Sequence, residues 1–151
     1  MIESVVNGIA GEGADFLINT FIGGYQHQPR VLALPGGGFV VIWNSQLPHI
    51  NSAVQTPYAR FLGPDGTPAG DDFMLNPEMP RAAIPALVPV PTGGYIGIWG
   101  GTDGDGPGIH LRYFDDDLVP VSPIFLLNDV TAGYQVGTFN ARNGAGVTIF
   151  A

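Results

Sequence analysis

Residues Gly36–Asn44 read GGGFVVIWN. A related stretch returns as GGYIGIWG at Gly93–Gly100, and again as GAGVTIFA at Gly144–Ala151. In each copy a glycine turn feeds a short apolar run. In the first, Phe39, Val41 and Trp43 fall on one side of an extended chain and Val40 and Ile42 on the other. Both sides are apolar, so the strand is expected to be covered on both faces, inside a stack of sheets.

The flanks of this motif repeat as well. Phe16-Leu-Ile-Asn19 returns as Phe73-Met-Leu-Asn76 and Phe125-Leu-Leu-Asn128. Tyr25-Gln26 returns as Tyr134-Gln135, whereas the middle copy has Ala82-Ala83 there. YARFLGPDGTPAG (Tyr58–Gly70) aligns with HLRYFDDDLVPVS (His110–Ser122), setting Arg60 on Arg112 and Pro68 on Pro120. The period is roughly 52–57 residues, and each unit reads as four short strands between Gly, Pro, Asn and Asp turns. Units are drawn at 16–70, 71–122 and 123–151 plus 1–15, all within one repeat domain (1–151). The last unit shows three of its strands. The fourth strand of a unit is expected just before the next F-x-x-N motif, so Ser4–Ala10 would complete the third unit and cover its open edge.

Composition agrees with an all-β chain. The 151 residues are 45% hydrophobic and only 12% charged, with 23 Gly and 14 Pro as turn punctuation. Nine Phe, five Tyr and two Trp argue against disorder. Five arginines, no lysine and 13 acidic residues give a net charge of −8. No basic patch can be assembled for nucleic acid or for an anionic membrane surface. The absence of cysteine excludes disulfides and thiolate chemistry. The first residues, MIESVVNGIAGEG, lack the basic and apolar regions of a secretory signal peptide, and no run of 18 apolar residues occurs.

Four strands per unit of this length is the mark of a β-propeller blade. Three blades are too few for a ring, and two chains of three give six, so a homodimeric six-bladed ring is expected. A β-prism closed within one chain, or part of a longer array, is the alternative. The pattern F-x-[LIV]-N, G-Y-Q, P-x-V-x-x-L-P-x-G-G-F-V-V-x-W, R-F-x-x-D-G-x-P-x-G resembles repeats of large bacterial exported proteins and adhesins. The resemblance implies a non-enzymatic, propeller-like module at the cell surface or outside the cell. The lack of a visible signal peptide leaves the cytoplasm open. The architecture is also similar to that of small oligomeric propeller lectins.

Candidate binding residues follow from carbohydrate chemistry, in which an aromatic ring covers the apolar face of a pyranose and Arg or Gln forks bond its hydroxyls. They are Tyr25, Gln26, Trp43, Tyr58, Arg60, Trp99, Arg112, Tyr134 and Gln135. For the tryptophans the competing expectation is core packing, and for the arginines a structural ion pair. Asp103 and Asp105 in GTDGDGPG could offer oxygens to calcium, although no Glu stands at the twelfth position of an EF-hand loop. No other cofactor is expected. His27, His49 and His110 lack metal spacing, Asp115–Asp117 read as a solvated turn, and Asp15, Asp71 and Asp72 show no pairing for glycoside hydrolysis. The expected function is multivalent, lectin-like glycan binding without catalysis. The alternative is a structural or interaction repeat without a small ligand.

Overall fold

A computed structural model describes residues 15–46, 55–78, 83–130 and 132–133. These residues are all-β, with no helix among them; none of them forms a span long and apolar enough to cross a membrane as a helix. The first sheet is an antiparallel meander of β1 (Gln26–Ala33), β2 (Phe39–Gln46), β3 (Gln55–Leu62) and β4 (Phe73–Met74). The second repeats that order with β5 (Ala83–Pro89), β6 (Tyr95–Thr102), β7 (Pro107–Phe114) and β8 (Phe125–Leu126).

The two sheets correspond residue by residue. Trp43 pairs with Tyr58 as Trp99 pairs with His110, and Val41 pairs with Arg60 as Gly97 pairs with Arg112. Even the irregularities match: register slips between His27 and Arg30, and likewise between Ala83 and Ala86. The β1–β2 and β5–β6 turns close through glycines at positive φ, Gly38 at 84° and Gly94 at 76°. A Cβ at either position would collide with a carbonyl oxygen, that of Leu62 or of Phe114. Only glycine lets the neighbouring strand approach there.

The fourth strand lies elsewhere than the sequence suggests. Pro68 and Pro120 make single bridges to Leu62 and Phe114, and the paired edge strand is the F-x-x-N motif itself, at Phe73-Met74 and Phe125-Leu126. Proline has no N–H to extend a ladder, so the chain before each motif turns instead of pairing. The proposed closing strand Ser4–Ala10 and most of the third unit lie outside the described residues.

Sheet packing is face to face and polar in direction. Val40, Ile42, Ala59 and Leu75 of the first sheet form one core with Tyr95, Trp99, Phe114 and Leu118 of the second. The doubly apolar strand read from GGGFVVIWN is thus used on its Val40 side against the Trp99 side of the next sheet. The outer faces carry their own clusters. Val41, Trp43 and Leu62 pack with Ile18, and Ala86, Ile96, Ile98, Ile109 and Leu111 pack together on the far side.

One compensating exchange adapts the second sheet to this junction. Where the first sheet has Val41 beside Arg60, the second has Gly97, and a Cβ there would lie 2.6 Å from Cε2 of Phe114. Phe114 takes the position of Leu62 and fills the space the valine vacates. Gly97→Val is expected to cost about 1–3 kcal/mol through overpacking. Adding Phe114→Leu, which copies the first sheet's pair, should recover most of that in a urea titration; no recovery would contradict the exchange.

Candidate functional site

The repeated arginines sit where strand meets neighbouring sheet. Arg60 sends Nε to the Gly70 carbonyl at 2.8 Å and Nη1 to the Ile18 carbonyl at 2.6 Å. Arg112 repeats the first bond, donating from Nε to the Ser122 carbonyl at 2.8 Å. Its Nη1 donates to Asn76 Oδ1 at 3.1 Å and forms an ion pair with Glu78 at 3.1 Å. Each guanidinium therefore ties its own sheet to an F-x-x-N segment, FLIN for Arg60 and FMLN for Arg112. Arg112 and Asn76 are both buried. The planar fork suits this task, since it satisfies several acceptors from one rigid group.

The tryptophans are equally committed. Trp99 is 1% exposed and Trp43 4%, and Trp43 stacks on Tyr58 with ring centroids 6.1 Å apart. Neither indole presents a free face for a pyranose in this arrangement. Tyr58 is half-buried, and burial, followed by the charge of Asp72, raises its hydroxyl above the ordinary 10.0. Tyr25 differs from these, being 73% exposed. Its backbone is held by Gln46, whose Oε1 accepts from the Tyr25 N–H at 3.4 Å, and whose N–H donates to the Tyr25 carbonyl at 3.0 Å. Gln26 turns its amide onto the Gly23 carbonyl at 2.5 Å. Tyr134 and Gln135 lie outside the described residues.

Gln26 lines a cavity of about 230 Å³ together with Phe16, Leu17, Ile18, His27, Val41 and Trp43 among others. A second, of about 310 Å³, opens between the β1–β2 turn (Leu34–Gly37) and Tyr95 with Asp116. Burial, followed by the Asp116 charge, raises the Tyr95 hydroxyl above 10.0, and Asp116 Oδ1 accepts from the Gly94 N–H at 2.7 Å. Sequence reading placed Asp116 in a solvated turn. Its approach to the neighbouring sheet's partner turn depends on sheet packing and has no local signal.

Asp103 accepts from Asn128 Nδ2 at 2.9 Å and lies against Gly108, while Asp105 is exposed. Among the described residues no group of three or more His, Asp or Glu gathers as a metal site. His110 is buried next to Asp103 on β7. Desolvation lowers its pKa below the ordinary 6.5, against the raising effects of a hydrogen bond with the Gly108 backbone and of the Asp103 charge.

The chain matches no protein-family model, no curated protein and no solved structure.

Two outcomes follow from these geometries. Arg112→Ala should cost roughly 2 kcal/mol, because it leaves the Asn76 carbonyl oxygen buried without its donor. Glu78→Ala, which removes a solvent-exposed partner, should cost less than about 1 kcal/mol; chemical denaturation of both variants checks the order. The folded-state pKa of His110 is depressed, so its contribution to stability is present above 6.5 and is lost as pH falls from there through the folded value. His110→Gln should therefore flatten the decline in Tm between about pH 7 and about pH 5. An unchanged slope would contradict the buried neutral imidazole.

Proposed function

We propose that the chain is a non-enzymatic carbohydrate-binding β-propeller module, each four-stranded meander serving as one blade. Three blades per chain, with a homodimer forming a six-bladed ring, would make weak glycan sites multivalent. In such a ring avidity exceeds the affinity of any single site. The resemblance to exported adhesin repeats supports placement at the cell surface or outside the cell.

The observation that carries this reading is the exposed Tyr25 ring. Of the described candidates it alone combines an aromatic face open to solvent with neighbouring amides, those of Gln26 and Gln46, on a backbone pinned to β2. An exposed aromatic ring with polar side chains beside it is the chemistry that recognises a pyranose. The other repeat positions, Trp43, Trp99, Arg60 and Arg112, support the scaffold on which that surface is held.

A second reading, a structural or interaction repeat without a small ligand, is favoured by that same use of tryptophan and arginine in packing. Binding to immobilised glycans separates the two. The lectin reading predicts a positive signal that Tyr25→Ala weakens by about tenfold, roughly 1.4 kcal/mol, without changing the β-sheet circular dichroism. A blank array with folded, oligomeric protein would leave the structural reading.

A further inference from the structure

Two polar groups of the second sheet have no counterpart in the first. Phe39 pairs with Ala33 and Leu62 as Tyr95 pairs with Pro89 and Phe114, so phenylalanine and tyrosine hold one repeat position. Pro64 lies against Gly37 as Asp116 lies against Gly93. A Cβ on Gly37 would stand 3.6 Å from Pro64 Cγ, and one on Gly93 would stand 3.7 Å from Asp116 Oδ2. The second sheet thus carries a hydroxyl and a carboxylate where the first carries a phenyl ring and a proline. The meander needs neither group, because the first sheet forms the same register without them.

Both additions line the cavity of about 310 Å³ between the sheets. Tyr95 belongs to the shared core and is 2% exposed, yet among the described residues its hydroxyl has no hydrogen-bond partner. A buried hydroxyl left unpaired costs free energy unless a further group meets it. Burial, followed by the Asp116 charge, keeps that hydroxyl protonated. Asp116 itself is exposed and commits Oδ1 to the Gly94 N–H at 2.7 Å, which fixes the carboxylate and leaves Oδ2 for another donor. The remaining wall, Leu34 to Gly37, is an aliphatic side chain, a proline ring and backbone. None of the described lining residues is basic, so the carboxylate has no countercharge in the cavity. A neutral ligand leaves it that way. A primary ammonium supplies the charge, with three N–H donors for the carboxylate and the tyrosine oxygen. The chain has no lysine to fill this role itself. The volume lies at the low end of ligand pockets, which run from roughly 300 to 1,000 Å³, so the ligand is small.

We propose that the cleft between the β1–β2 turn and the Tyr95–Asp116 pair binds a primary ammonium group, with Asp116 as its counter-ion and the Tyr95 hydroxyl as a second acceptor. The cleft lies at the opposite end of β1 from Tyr25. It therefore stands or falls independently of glycan binding at Tyr25.

The Gly94 amide, bonded to Asp116, and the Gly37 amide across the cleft report on the site in NMR titrations of isotope-labelled protein. Glucosamine carries the ammonium on a sugar and Nα-acetyl-lysinamide on an alkyl stem. Glucose and the Nε-acetylated lysinamide are their uncharged counterparts. The inference predicts saturable shifts at both amides with at least one ammonium compound, bound about tenfold or more tightly than its counterpart. Asp116→Asn can still accept from the Gly94 N–H and should weaken binding by about tenfold, since it removes a charge-assisted bond. Tyr95→Phe installs the first sheet's own residue, which keeps the fold, and should weaken binding by about two- to tenfold. No shift with either ammonium compound would overturn the site. Equal binding of a neutral counterpart, or undiminished binding by folded Asp116→Asn, would overturn its assignment to an ammonium.

Discussion

The buried Arg112–Asn76 contact and the apolar layer around it determine most of what the rest of the structure does. A guanidinium that is nearly inaccessible to water must have its donors met, and they are met by Asn76, the Glu78 carboxylate and the Ser122 carbonyl of its own sheet. Two sheets are thereby fixed in one relative position. Their order is directional: the Val40 side of one meets the Trp99 side of the next.

That constraint explains why the conspicuous repeat residues are poor ligand contacts. Trp99 fills the layer between the two sheets, Trp43 is buried in the outer cluster with Val41, Leu62 and Ile18, and Arg60 and Arg112 each hold an F-x-x-N segment. A ligand surface on such a scaffold belongs at positions that vary between units. Tyr25 is exposed at the end of β1, and the cleft at Tyr95 and Asp116 lies where two turns approach each other.

Much of the fold was legible because the strands carry local signals. The glycine turns, the alternation through Phe39–Trp43 and the alignment of Arg60 with Arg112 and of Pro68 with Pro120 all reappear in the strand register. The fourth strand was misplaced because two-residue edge strands have no periodicity of their own. Their position depends on a turn and on the bond from Arg60 to Gly70, which spans ten residues. The candidate site was legible only as a set of residue types. Burial is a tertiary property: core packing was an expectation for the tryptophans, and the stacking of the sheets leaves Trp99 1% exposed and Tyr25 73%.

A double-mutant cycle between Arg112 and Asn76, each replaced by alanine, tests the sheet-to-sheet contact most directly. The account predicts that the two losses fail to add by about 0.5–3 kcal/mol in urea denaturation, the range seen for side chains that share one hydrogen-bond network. Losses that add within about 0.3 kcal/mol would show that the two side chains are energetically independent, and would contradict the contact on which the stacking is built.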